Sequence, residues 1–294
     1  MYKTFLLKDE PVSAVQSILN HVVAPRPICF ASTVDAQGCV NLSPFSYFNM
    51  FSFNPPVVIF SPLLRVRNNT AKHTLENLKE VGEVCVNIVS YDMVQQVSLA
   101  SSEFPKGVDE FVKAGFTKAS SQLIQPPRVQ ESPVQMECRV IEIKSLGIGG
   151  GAGNLVIAKV LMVHIHETLF TDEKLDQTKF DFAARMGGHW YARVSKENMF
   201  QVERPDQKTG MGIDNLPESI RSSKILTGND LGRLANVHEM PAIDISFEDA
   251  RLKNIFQYYS IDPEEMEKEL HTYAAELLRD GKVNEAWQVL LANN

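Results

Sequence analysis

The sequence predicts a mainly antiparallel β domain with flanking helices, followed by a helical C-terminal extension. Three observations predict it. Short β-rich runs separated by Gly, Pro, Asn and Asp breakers fill the N-terminal two thirds. After Gln201 apolar residues recur at helical spacing instead. The charge divides at the same place: ten Lys/Arg and seventeen Asp/Glu follow residue 200, so the net charge of −7 belongs to the extension and the rest is neutral. The expected domains are 1–199 and 200–294.

Composition sets the outer limits. At 294 residues, 44% hydrophobic and 22% charged, the chain can bury a full core. It has no apolar run long enough to span a bilayer, and MYKTFLLKDEP lacks the apolar centre of a signal peptide. Cys29, Cys39, Cys85 and Cys138 form no CxxC pair and read as separate thiols in a reducing cytoplasm. A neutral main domain has no basic face for nucleic acid, though it can hold a local positive pocket for a phosphate.

Taken in order, Pro11–Val22 places Val12, Val15, Ile18, Leu19 and Val22 at amphipathic helical spacing. The stretch Pro25–Pro62 follows, with β-rich runs at Ile28–Val34, Phe45–Phe51 and Val57–Phe60. Asp35-Ala36-Gln37-Gly38 and Asn54-Pro55-Pro56 separate them, as in a meander. Between the first two runs, Asn41–Ser46 reads as irregular backbone with free N–H groups, suited to the edge of a flat polar heterocycle. Helices are expected at Asn69–Val81, Tyr91–Ala100 and Val108–Ala114, with a strand at Val84–Val89. Pro126-Pro127 keeps 121–132 as loop.

Val134–Leu146 and Leu155–His166 are long β-rich runs around Gly147–Asn154. A dinucleotide fingerprint fails there: the GxGxxG register from Gly147 ends on Ala152, and a strand follows. A flexible hairpin connection is expected. His164 and His166 fall on one face of a strand, but Glu167 points to the other and no third ligand has a fitting spacing, so no metal is expected. Phe180–Met186 reads as a short helix stopped by Gly187-Gly188, and 189–194 as strand. In the extension, helices are expected at Leu231–Val237, Phe247–Tyr258, Pro263–Arg279 and Val283–Ala292. Ser246 and Asp262 mark two starts and Asp280-Gly281 one end. The apolar faces of the last two can bury each other, and the extension is expected to pack on the main domain or a partner.

The segments PRPI…STVD..G..NLSPFSYFN…NPP, Lys72–Asn77, Gly107–Thr117, Pro126–Pro133 and Ala184–Gly188 with Tyr191 occur in one order over residues 20–195. Together they resemble the flavin reductase-like family, an FMN-binding split β-barrel with Greek-key-like antiparallel strands. The resemblance implies that the isoalloxazine rests against Thr33, Asn41, Ser43, Pro44, Phe45 and Ser46. It also implies a phosphate seat at Ser61, Lys72, His73 and Thr74, with His73 departing from the family's usual aspartate. It further implies a homodimer with flavin at the subunit interface and NADH or NADPH as donor. No nucleophile, base or paired-carboxylate constellation appears, which suits hydride transfer by stacking and proximity. His189 and Tyr191 are the only catalytic candidates. The expected activity is an NAD(P)H:flavin oxidoreductase; the rivals are a tightly FMN-bound electron carrier and a non-enzymatic FMN sensor with a partner-docking tail.

Overall fold

The computed structural model describes residues 1–202 and 209–293. It divides into two compact units, Met1–Phe200 and Gln201–Asn294. The loop expected after Gln201 runs partly through 203–208, outside the described residues.

In the first unit α1 (Val12–Val22) precedes β1 (Cys29–Val34), β2 (Val40–Phe45), β3 (Phe48–Phe53) and β4 (Pro56–Phe60). Next come α2 (His73–Glu80), β5 (Glu83–Ile88), α3 (Val94–Ala100) and α4 (Glu110–Ala114). The short β6 (Lys118–Ala119) and β7 (Arg128–Val129) pair together before the long β8 (Val134–Ser145) and β9 (Asn154–Ile165). Two hairpins follow: β10 (Phe170–Thr171) with β11 (Lys174–Leu175), and β12 (Phe182–Arg185) with β13 (Tyr191–Val194).

Seven strands form one antiparallel sheet in the order β2-β1-β5-β8-β9-β4-β3. β2 and β3 are consecutive in sequence yet occupy opposite edges, so the sheet is an open, split barrel. The pairing of β8 with β9 slips at Glu137/Cys138 and at Val140/Glu142, and such bulges bend a strand pair and raise its twist. β1 is buried throughout. On one side Phe30 packs with Leu42, Phe111 and Phe116; on the other Cys29 and Ala31 join Phe45, Phe60, Val84 and Val156. A strand with two apolar neighbourhoods has no solvent face, and its polar Ser32 and Thr33 are buried with protein partners, the Pro127 carbonyl and Asn77.

Three local expectations are corrected. Asn41–Ser46 is regular strand up to Phe45: β2 pairs with β1, Asn41 opposite Thr33 and Pro44 opposite Phe30. Pro44 is tolerated because β2 is an edge strand, where a missing N–H breaks no ladder. The helix expected at Phe180–Met186 is strand β12, with Ala183 opposite Arg193 and Ala184 opposite Ala192. Ala-Ala-Arg favours helix locally, but burial of Ala183 and Ala184 in the hairpin overrides that preference. The helix expected from Asn69 begins only at His73, because 65–70 close a turn: Arg65 N donates to Thr70 O at 2.9 Å, and Asn69 has φ 54°. Two smaller shifts accompany these: α3 starts after a single tight turn at Tyr91–Met93, and α4 starts at Glu110, capped by Asp109.

The second unit contains α5 (Glu218–Arg221), α6 (Gly228–Leu234), α7 (Ala250–Tyr259), α8 (Pro263–Arg279) and α9 (Val283–Leu291). Leu234, Leu252, Ile255, Leu270, Ala274, Leu278, Trp287 and Leu290 build its own core, so α8 and α9 bury their apolar faces within the unit. Asp262 caps α8 with Pro263 in its first turn, and Gly281 ends it at φ 77°. α7 is capped by Asp249, whose carboxylate accepts from Leu252 N at 2.7 Å. The expected start at Ser246 fails because that hydroxyl donates to Asp244 instead, at 2.6 Å. α6 starts earlier than expected, at a reciprocal cap between Thr227 and Asp230.

Candidate functional site

A cleft of about 300 Å³ opens where the end of β2, the 61–66 segment and the β12–β13 turn converge. Pro44 and Phe45 give it apolar surface, Phe45 being braced by Phe60 at 5.4 Å between ring centroids. Ser46 and Ser61 add hydroxyls. Arg26, Arg65, Lys72 and Arg185 also line it, and no Asp or Glu does among the described residues. The wall is therefore cationic, with Glu103 beside Arg65 as a counter-charge outside the lining.

Each cation is held differently. Lys72 sits at the start of α2 with Nζ 5.1 Å over the Phe45 ring, and no carboxylate of the described residues pairs with it. Burial, with Arg65 adding repulsion, holds its ammonium below the ordinary lysine value, while Glu103 pulls the other way. Arg65 donates to Thr70 Oγ1 at 3.0 Å and to the Ala71 carbonyl, and its Nε lies 3.4 Å from Glu103. Arg185 donates to the carbonyls of Gly188 (2.6 Å) and Trp190 (3.0 Å), fixing the Gly-Gly turn. Buried Arg26 donates to the carbonyls of Asn20 (2.7 Å), Val23 and Met186 (3.0 Å), joining α1 to that turn. Its value too is lowered, first by burial; nearby Tyr47 opposes the shift and Arg185 adds to it.

The glycine run 147–153 joins β8 to β9 as expected, but it is pinned rather than free. Leu64 N donates to Ala152 O and Gly151 N to Leu64 O, both at 2.9 Å. A Cβ on Gly150 would stand 2.9 Å from the Val66 carbonyl, and one on Gly153 would stand 2.7 Å from Ser61 Oγ. The glycines let this loop lie directly against the segment that walls the cleft.

The residues expected to hold flavin fall in three places: the cleft, a network behind it and a small hollow. Pro44, Phe45, Ser46, Ser61 and Lys72 line the cleft together. Thr33, Asn41 and Thr74 sit behind it in an internal network. Thr74 Oγ1 donates to Asn41 Oδ1 (2.7 Å), and Asn41 Nδ2 to Glu110 Oε1 (2.9 Å). Leu42 N donates to Glu110 Oε2 (3.0 Å), and Asn77 Nδ2 to Thr33 Oγ1 (3.1 Å). Thr33 and Thr74 are fully buried, so their hydroxyls do not face the cleft. Asn41, Ser43, Lys72, His73 and Thr74 border a much smaller hollow of about 30 Å³, closed off by Glu103 and Glu110.

On the far side of Pro44–Ser46 lies a wider cleft of about 750 Å³. It contains both catalytic candidates, His189 and Tyr191, with Tyr91, Arg185 and Arg193. His189 is exposed, and Arg185 lies 4.6 Å over the Tyr191 ring. Arg193 is paired with Asp181 at 2.7 and 2.8 Å. Sequence reasoning missed Arg26 and Arg185 as cleft residues; Arg26 in PRPI and Arg185 in ARMGG were visible only as letters of motifs.

His164 and His166 do not act together. His164 Nε2 lies 2.8 Å from Glu137 Oε1 on fully buried Glu137, whose carboxylate also accepts from Gln122 N (2.8 Å) and Leu123 N (2.6 Å). Burial pushes that carboxyl up, but these hydrogen bonds win and hold it below its usual value. His166 instead caps a short turn through Thr168. Among the described residues no cluster of His, Cys, Asp and Glu can hold a metal, and no helix is long and apolar enough to cross a membrane.

A family model described as the flavin reductase like domain matches residues 22–179. An uncharacterized protein of Aquifex aeolicus is 30% identical over 200 residues, covering 67% of this chain and 99% of its own. The crystal structure of nitrilotriacetate monooxygenase component B from Bacillus cereus superposes with TM-score 0.64 at 26% identity, covering 69% of this chain and 99% of that one. Flavoredoxin of Desulfovibrio vulgaris shares the fold at TM-score 0.51 and 21% identity, covering 62% and 91%.

Proposed function

The chain belongs to the flavin reductase-like family, and on that premise we propose that it is an FMN-dependent NAD(P)H:flavin oxidoreductase. The observation that carries the proposal is the cleft wall of Arg26, Arg65, Lys72 and Arg185, free of lining carboxylates, beside the apolar Pro44-Phe45 surface. A phosphate needs that cationic wall, and a flat ring needs that apolar one. Lys72 supplies charge to the phosphate, Ser61 a hydroxyl, and the first amides of α2 at His73 and Thr74 add donors at a helix N-terminus. Pro44, Phe45 and Ser46 place the ring between the two clefts, where the His189 and Tyr191 side admits the nicotinamide. Asn41, Thr33 and Thr74 hold β2 and α2 in position from behind. Bound FMN would accept a hydride from NADH or NADPH, chemistry that the cofactor carries itself.

The protein is proposed to act as a cytoplasmic homodimer with flavin at the subunit interface. Edge strand β3 exposes Met50, Phe51 and Phe53 at 55%, 64% and 81%, and an unpaired apolar edge supports pairing with a second copy. Anaerobic mixing with NADH or NADPH tests the activity. Rapid bleaching of the bound flavin with turnover of added FMN is expected. Bleaching only by a reduced protein donor would make the chain an electron carrier, and no reduction by any donor would make it a sensor. Size-exclusion chromatography reads the dimer.

A further inference from the structure

The wide cleft beside Pro44–Ser46 carries two arginines, and they differ in what holds them. Arg185 lies where this cleft meets the cationic one. It donates only to the carbonyls of Gly188 and Trp190, and no carboxylate of the described residues pairs with it. Arg193 lines the wide cleft alone, two residues along β13 from Tyr191, the residue opposite Arg185. Its Nε and Nη2 each donate to one oxygen of Asp181, at 2.8 and 2.7 Å, so the planar fork is taken up by that carboxylate. Its face lies 4.1 Å over the Tyr91 ring. The Asp181 carbonyl accepts from Tyr91 N at 2.9 Å, which ties acid, guanidinium and ring together. The Asp181 hydrogen bonds raise the Arg193 guanidinium above its ordinary value; burial opposes them, and Asp92 adds a further negative charge nearby. One cation thus stands against two carboxylates. An ion pair as exposed as this one adds little stability, so its main effect is on the charge that the cleft presents. Gln95, Ser98 and Ser101 add neutral hydrogen-bonding groups to the same cleft, suited to ribose hydroxyls.

NADH and NADPH are the same molecule except at the adenosine ribose, where NADPH carries a phosphate of charge about −1.5 to −2. In dinucleotide-binding sheets of another architecture a carboxylate accepts the ribose hydroxyl, whereas an arginine accommodates the phosphate. Here the arginine is present but a carboxylate already occupies it. We propose that the chain selects NADH over NADPH, and that Asp181 is the specificity-determining residue, withholding Arg193 from the ribose phosphate. The proposal rests on the NAD(P)H:flavin oxidoreductase reading and names its donor.

The test is anaerobic reduction of the FMN-loaded full-length protein, with kcat/KM measured for each donor. A preference for NADH of at least about tenfold is expected. Asp181→Asn removes the charge while keeping the shape, and it should raise kcat/KM for NADPH about tenfold, mainly through KM. NADH should change by less than about twofold, because it has no phosphate at that ribose. The gain for NADPH should shrink as salt is raised and vanish when Arg193→Gln is added to Asp181→Asn, since it acts through that guanidinium. FMN affinity should stay at the wild-type level in both variants. Equal or better use of NADPH by the wild type overturns the proposal. An unchanged donor ratio in Asp181→Asn, or a gain that survives in the double variant, overturns it as well. Bleaching by neither donor overturns the oxidoreductase reading itself, and the donor assignment falls with it.

Discussion

The two units bury different kinds of side chain. The first encloses Arg26, Thr33, Asn41, Thr74, Asn77, Asn87, Glu110 and Glu137, and the second, among the described residues, only His271 among polar ones. In the first unit these groups make specific bonds: Asn87 Nδ2 donates to the Phe30 carbonyl and its Oδ1 accepts from Val129 N, both at 2.9 Å. Buried polar networks are costly unless satisfied, and satisfied ones fix backbone and side chains in one arrangement. The helical unit relies on Leu, Ile, Val, Ala and Trp287, whose Nε1 is buried without a hydrogen-bond partner among the described residues. Apolar packing gives stability but little positional control, so the site chemistry is expected in the first unit alone.

Substitution in the helical core gives the largest expected effect. Leu278→Ala, at a fully buried position, should cost about 2–5 kcal/mol of that unit's stability through the cavity it leaves. Urea unfolding followed by Trp287 fluorescence reads the loss, and FMN affinity should stay at the wild-type level. A parallel drop in FMN affinity would break the division between the units.

A smaller effect is expected in the cleft, in ligand affinity rather than stability. Lys72→Ala should weaken FMN by about 1–3 kcal/mol, the range for a charge-assisted hydrogen bond, and riboflavin far less. Equal losses for both would remove Lys72 from the phosphate seat. Because burial lowers its ammonium value, the charge is lost as pH rises through a point below the ordinary 10.5. FMN affinity should fall over that alkaline range, and Lys72→Arg should abolish the fall because a guanidinium stays protonated. An equally steep fall in the arginine variant would assign it to another group.

The smallest effect concerns His271, which is buried with Nδ1 2.8 Å from Ser223 Oγ. Burial holds its value below the ordinary 6.5, partly offset by Glu267. The unfolded chain then binds more protons than the folded one below that pH. Stability of the helical unit should decline as pH falls from 6.5 through the lowered folded value, and His271→Gln should flatten the decline. The same acid slope in His271→Gln would show that some other group drives it.

Much of this was legible in the chain because it is local. The breakers at Asp35–Gly38 and Asn54–Pro56, the Asp262-Pro263 start and the Gly281 stop act within a few residues. The Phe180–Met186 segment was misread because its partner strand at 191–194 settles its conformation, and helical propensity reports only neighbours along the chain. Asn41, Thr33 and Thr74 carried the right chemistry for a ligand, yet Glu110 accepts from Asn41 across 69 residues, Asn77 donates to Thr33 across 44, and Asn41 accepts from Thr74 across 33. Spacing in a motif does not reveal such partners.

By itself the sequence determined the antiparallel β domain and the helical extension with its excess acid, while the family resemblance supplied the split barrel and the expectation that Pro44–Ser46 and Lys72 wall a cofactor. Hydrophobic periodicity, turn chemistry and charge count depend only on residue order. Only the tertiary structure decided which side chains face the cleft. It brought Arg26, Arg65, Lys72 and Arg185 to one wall and turned Thr33 and Thr74 inward. It pinned the 147–153 glycines against the 63–66 segment. These outcomes depend on contacts between residues remote in sequence, where burial and hydrogen-bond satisfaction outweigh what any short stretch prefers.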